Sequence, residues 1–115
     1  MISEKVLKIL TQIGLPKTDA EVYLFLATKT PQKAKTIASQ LGMHTQQVYR
    51  SLKKLHNKRM VNTIPGRITY FSAVPLERVL DLLIEAKREE AQQIQLHKEK
   101  ILSTFQTSIM SEIVT

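Results

Sequence analysis

No cysteine occurs among the 115 residues. That absence removes disulfides, thiol nucleophiles and cysteine-ligated zinc, and it fits a reducing compartment. Glycine is nearly as scarce: Gly14, Gly42 and Gly66 are the whole complement. They read as punctuation between patterned segments, and no glycine-rich loop for cradling a phosphate is present. Long hydrophobic runs are also missing. The longest, Val22 to Ala27, has six residues, far short of the roughly 20 that a spanning helix needs. Residues 1–13 carry Glu4, Lys5 and Lys8 among their apolar positions, so they read as an amphipathic helix and not as a secretory signal, which places the protein in the cytoplasm. His44, His56 and His97 fall on three different elements with no carboxylate cluster, so no metal or other cofactor is expected. No nucleophile with an adjacent base is visible, and the expectation is that the chain is not an enzyme.

Positive charge is what the chain has in excess. Seventeen basic side chains face ten acidic ones, a net +7. Hydrophobic residues make up 43% and charged residues 23%, which is ordinary for a folded globular domain, and the length fits one domain with one appended element. The charge is unevenly spread. Residues 1–74 hold twelve basic groups against Glu4, Asp19 and Glu21, a balance of +9, while residues 75–115 hold five against seven, a balance of −2. A basic front part is joined to a mildly acidic tail, which points to a polyanionic partner for the front part.

Periodicity predicts a mainly α fold with one small β-hairpin. Ile2, Val6, Ile9, Leu10 and Ile13 share a helical face that Gly14 ends. Thr18 with Glu21 is a capping-box pattern for a second helix, in which Ala20, Tyr23, Leu24 and Ala27 recur. Thr30-Pro31 breaks that helix. A short third helix from about Lys33 carries Ala34, Ile37, Ala38 and Leu41 up to Gly42, and a fourth starts at His44 or Thr45 with Val48, Leu52 and Leu55 as its buried stripe. Beyond Arg59 the pattern alternates. Strands are expected over 60–64 and 68–74 around a Pro65-Gly66-Arg67 turn, with Thr69, Phe71 and Ala73 on one face.

Pro75 then opens a last helix as its first residue. No glycine or proline interrupts 76–115, and Leu76, Leu80, Leu83, Ile84, Ala91, Ile94, Ile101, Phe105 and Ile109 form a stripe along it. At 1.5 Å per residue such a helix is about 50 Å long, more than a domain of this size is wide. Its stripe needs a partner, and a second copy is the simplest one. The expected dimer interface is Leu80, Leu83, Ile84, Ala91, Ile94, Ile101, Phe105 and Ile109. Lys87 and Lys98 interrupt the stripe. Either their stems pack while the charges reach water, or the two ends pack against different things, 76–84 on the head and 101–109 on the partner.

Helix, short helix, turn, helix and hairpin is the order of a winged helix-turn-helix, expected over 1–74, with a dimerisation helix over 75–115. In such a unit the fourth helix enters the DNA major groove and the hairpin reaches over the backbone. With Val48 at the centre of the buried side, Gln46, Arg50, Lys53 and Asn57 point away, flanked by Gln47 and Lys54. Glutamine pairs bidentately with adenine and arginine with guanine, so Gln46, Gln47 and Arg50 are the expected base readers. Lysine carries little directional code, so Lys53, Lys54 and Lys58 are assigned to phosphates, with Thr45 at the helix start. Lys33, Lys35 and Thr36 open the preceding helix, whose free N–H groups favour a phosphate, and Arg67 sits at the hairpin tip. Tyr49, Tyr70 and Phe71 are at spacings more typical of core or boundary packing than of base stacking. An exposed lysine alone usually marks only a solvated face. From Leu41 through Ser72, however, the chain has no acid, and that coincidence with the helix-turn-helix favours nucleic acid.

The run Ile13-Gly14-Leu15, then Asp19-Ala20-Glu21-Val22-Tyr23-Leu24, Ala34-Lys35-Thr36-Ile37-Ala38, Val48-Tyr49-Arg50-Ser51-Leu52 and Phe71-Ser72-Ala73-Val74-Pro75 resembles the DNA-binding domain of the TrmB-like transcriptional regulators, over about residues 5–80. The resemblance implies a winged helix, a recognition helix over 45–58, a wing over 60–74, and action as a dimer. Pro16 stands where that family usually has a capping serine or threonine, and Thr30 replaces the usual glycine before Pro31. Such regulators often sense sugars through a further domain of well over a hundred residues. This chain ends at Thr115, so no small-molecule effector is expected. The reading for the whole is a homodimeric, sequence-specific transcriptional regulator of a palindromic site on double-stranded DNA; the alternatives are a coat protein without sequence preference and a module that docks on an acidic protein surface.

Overall fold

The structure, a computed structural model, describes residues 4–114, without the side chain of Val114. Its elements in chain order are α1 (Glu4–Gln12), α2 (Lys17–Ala27), α3 (Ala34–Leu41), α4 (Thr45–Asn57), β1 (Val61–Ile64), β2 (Tyr70–Ala73) and α5 (Leu76–Val114). The chain divides into two compact units, one reaching to Leu83 and the other starting at Ile84. The first is a winged helix-turn-helix.

α2 is the hub of this unit. Asp19, Ala20 and Val22 to Leu26 are all buried, because α1, α3, α4 and β2 each pack against the helix. This explains why its apolar residues form a run and not a stripe. Around it, Leu10, Leu15, Ile37, Val48, Leu52, Leu55 and Val61 complete the core, each contributing on the order of 1.5–3 kcal/mol of burial. The Tyr23 hydroxyl donates a 2.6 Å hydrogen bond to the Val74 carbonyl. Burial pushes the Tyr23 phenol up from 10.0 to about 12.

The helix ends follow the backbone chemistry of their terminal residues. α1 ends at Gly14, in a positive-φ conformation, with Leu15 N–H bonded to the Leu10 carbonyl and Gly14 N–H to Thr11. α3 ends at the left-handed Gly42. α4 closes in the same way on Arg59, the one non-glycine residue at positive φ among the described residues, at 63°. Here Met60 N–H reaches Leu55 and Arg59 N–H reaches His56, the paired bonds of a Schellman motif that ordinarily carries glycine.

Three details differ from the pattern-based expectation. α2 begins at Lys17 with Pro16 as its N-cap and no side-chain capping bond, so Thr18 lies inside the first turn and the Thr18–Glu21 capping box does not form. Proline supplies the right φ for entering a helix, and the Pro16 carbonyl takes the Ala20 N–H at 2.8 Å. On α1, Leu10 is buried and Leu7 and Ile13 pack partly against the core, while Val6 and Ile9 are exposed; Ile2 lies outside the described residues. The hairpin strands are shorter than the alternation suggested. Ile64 pairs with Tyr70 as the last rung, leaving 65–69 as the connecting loop. Gln32 forms an isolated antiparallel bridge with Phe71 through 2.9 and 2.7 Å bonds, tying the segment after Pro31 to β2.

In the second unit, every described side chain from Ile84 to Ile113 is exposed. Lys87–Glu90 and Arg88–Glu85 form ion pairs one turn apart at 3.4 and 3.8 Å, which contribute a few tenths of a kcal/mol each at such exposed sites. No helix among the described residues is long and apolar enough to cross a membrane.

Candidate nucleic-acid interface

α4 buries Val48, Ser51, Leu52 and Leu55, a spacing that leaves the opposite face to solvent. Gln46, Arg50, Lys53 and Asn57 are exposed on it, and Gln47 is half-buried at its edge. Thr45 is exposed at the first helical position after the N-cap His44, and Lys58 is the C-cap. No carboxylate occurs between Lys33 and Val74, so nothing on α3, α4 or the hairpin offsets the positive charge of this face.

Two clefts gather Lys33, Lys35, Gln47, Arg50, Lys53, Lys54 and Arg67 of the residues singled out by sequence, and leave Thr36, Thr45, Gln46 and Lys58 outside. One, of about 430 Å³, lies between the start of α3, the flank of α4 and the hairpin loop; Lys33, Lys35, Tyr49, Arg67, Ile68 and Thr69 line it. Lys33 is the N-cap of α3 and makes no side-chain capping bond, and Thr36 is half-buried in the first turn. The other cleft, of about 510 Å³, lies between α2 and α4 and is lined by Thr18, Gln47, Arg50, Ser51, Lys53 and Lys54. Lys54 differs from the other cations. Its ammonium lies 3.4 Å from Asp19 Oδ2, and the Asp19 side chain is fully buried.

Tyr49 stands in the wall of the first of these clefts. The expected packing role holds for Phe71, which is buried, but Tyr49 is 53% exposed and Tyr70 39%. Tyr49 follows the buried Val48 by one position, about 100° round the helix, so the period puts it on a flank. Only the approach of the hairpin loop turns that flank into a cleft wall. On α5, Leu83 belongs to the core of the first unit and Leu80 packs partly against it, whereas Ile84, Ile94, Ile101, Phe105 and Ile109 are exposed.

A family model described as the sugar-specific transcriptional regulator TrmB matches residues 10–77. The chain belongs to the TrmB family of transcriptional regulators. The match covers the whole helix-turn-helix and the hairpin, and fold and family together make the chain a DNA-binding winged-helix regulator. No curated protein matches it. Among solved structures, TrmBL2, described as an archaeal chromatin protein with a novel mode of DNA binding, superposes with a TM-score of 0.77 at 19% identity, over 97% of this chain and 43% of its own. This chain therefore spans less than half of TrmBL2. A possible transcriptional regulator from Methanosarcina mazei superposes with a TM-score of 0.67 at 14% identity, over 86% of this chain and 88% of its own. A protein from Sulfolobus tokodaii does so at 0.61 with 26% identity, over 75% and 91%. At these identities the likeness is one of fold.

Proposed function

We propose that the protein is a sequence-specific regulator that binds duplex DNA as a homodimer in the cytoplasm, with α4 in the major groove and the hairpin on the backbone. The observation that carries this reading is the outward face of α4. Gln46, Gln47 and Arg50 stand near its N-terminal end, opposite a fully buried stripe, on a surface without carboxylates. These are the side chains able to pair bidentately with adenine and guanine. Lys33, Lys35, Thr36, Thr45, Lys53, Lys58 and Arg67 surround them as phosphate ligands, which position the protein without reading sequence. Lys54 stands apart, since it already faces a carboxylate.

The dimer rests on α5. A helix of 39 residues with Ile84, Ile94, Ile101, Phe105 and Ile109 exposed presents apolar surface of the kind a second copy covers, and Ala91 lies on the same stripe. Two recognition helices related by a two-fold axis address half-sites about 34 Å apart or a multiple of that. No metal, cofactor, effector or catalytic step enters this reading.

The test is selection of bound sequences from random duplex DNA, followed by footprinting. A palindromic consensus with discrete protection supports the regulator. Continuous protection without a consensus replaces it with a coat protein. No binding to any duplex at low salt replaces it with a protein-docking module.

A further inference from the structure

Asp19 is 0% exposed, and neither of its carboxylate oxygens accepts a hydrogen bond. It occupies the first turn of α2, where a negative charge suits the helix dipole. That alone does not offset the loss of hydration. A buried carboxylate without hydrogen bonds depends on its counter-ion, and the one cation within 4 Å among the described residues is Lys54 on α4, at 3.4 Å. Lys54 itself remains 55% exposed and lines the cleft that also holds Gln47, Arg50 and Lys53. One cation of the recognition helix is therefore tied to the hub helix from below while open to solvent from above.

From this geometry we infer that Asp19 withholds Lys54 from DNA. It acts as a positioning residue that trims the positive charge of the recognition face and anchors α4 against α2. The inference rests on the DNA-binding reading above. A phosphate meets Lys54 in a solvated, salt-screened interface, where a charge pair is weak. Asp19 meets it at the edge of the core, where removing one partner strands a buried charge. The carboxylate therefore holds the ammonium, and the pair adds no net charge to a surface on which every other ionised group is positive. Because phosphate contacts are made to any sequence, holding back one lysine per subunit lowers affinity for selected and random duplex alike and leaves base contacts a larger share of the binding that remains.

The experiment uses the full chain and measures thermal unfolding together with the salt dependence of binding to a selected site and to a random-sequence duplex. Lys54→Met is expected to lower the melting temperature by about 5 °C or more while leaving the salt slope unchanged. Asp19→Asn is expected to free Lys54, steepening the slope by about 0.9 per subunit, equivalent to about three- to fourfold per subunit between 50 and 200 mM salt. The double variant should return toward the wild-type melting temperature and slope. A slope flattened by about 0.9 per subunit in Lys54→Met overturns the inference, since Lys54 is then a phosphate ligand in the native protein. An unchanged slope in a folded Asp19→Asn overturns it as well. If Asp19→Asn does not fold, the Lys54→Met slope decides alone. Absence of any wild-type binding to duplex overturns the DNA reading itself, and the melting temperature of Lys54→Met still reports the ion pair separately.

Discussion

The hydroxyl of Tyr23, in the middle of α2, donates a 2.6 Å hydrogen bond to the carbonyl of Val74, 51 residues further on. This bond joins the hub helix to the end of the hairpin just before α5 begins. Along with the Gln32–Phe71 bridge, it holds the wing to the helical core. Tyr23→Phe keeps the packing and leaves the Val74 carbonyl without this donor, so it should lower stability by about 1–2 kcal/mol. Urea unfolding at pH 7 measures this, and a loss below about 0.3 kcal/mol contradicts it.

The same phenol predicts an alkaline effect. Tyr23 ionises near 10 when unfolded and near 12 when folded. Between those values the unfolded chain binds fewer protons than the native one, so stability falls as pH rises, and below pH 10 the contribution is constant. From pH 9 to pH 11 the stability advantage of the wild type over Tyr23→Phe should shrink by roughly 1 kcal/mol. A constant difference across that range shows that the phenol is not held neutral.

Arg59 and Gly42 occupy similar left-handed conformations, at φ 63° and 65°, with opposite expected responses to exchange. Arg59→Gly relieves the side-chain clash of that conformation and should raise stability by about 1 kcal/mol. Gly42→Ala meets nothing within 4 Å, so only backbone strain opposes it, and it should lower stability by about 1 kcal/mol. Melting temperatures moving in the same direction for both variants contradict the assignment.

If α4 reads bases as proposed, Arg50→Ala should weaken binding to the selected site by about 1–3 kcal/mol and spare binding to random duplex. Arg67→Ala, at the hairpin loop, should weaken both and flatten the salt slope by about 0.9 per subunit. Equal losses on both duplexes for Arg50→Ala would remove its base-reading role.

For the dimer, Ile101→Glu with Phe105→Glu places charge on two exposed apolar positions of α5. Sedimentation at micromolar concentration should show a dimer for the wild type and a monomer for the variant, with the melting of the first unit unchanged. A monomeric wild type contradicts the proposed assembly.

Much of the fold was legible because its determinants are local. The spacing of Val48, Leu52 and Leu55, the left-handed stop at Gly42 and the break at Thr30-Pro31 place α3 and α4 almost to the residue, and through them the outward face with Gln46, Arg50 and Lys53. The turn at Pro65-Gly66 places the wing. Patterning was less reliable at α1, where the apolar residues outnumber the places the core can take and Val6 and Ile9 stay exposed.

By itself, then, the sequence determined the order of elements, the face that each of α3 and α4 turns inward, and the basic, acid-free surface left over. Periodicity and backbone chemistry act within a few residues of one another. Tertiary packing alone decided that Asp19 is buried and that Lys54 is its counter-ion, that Tyr49 lines a cleft with Arg67, and that Leu83 packs into the core of the first unit. Each of these depends on elements that approach one another only after the chain has closed around α2. Partners so far apart along the chain leave no spacing to read.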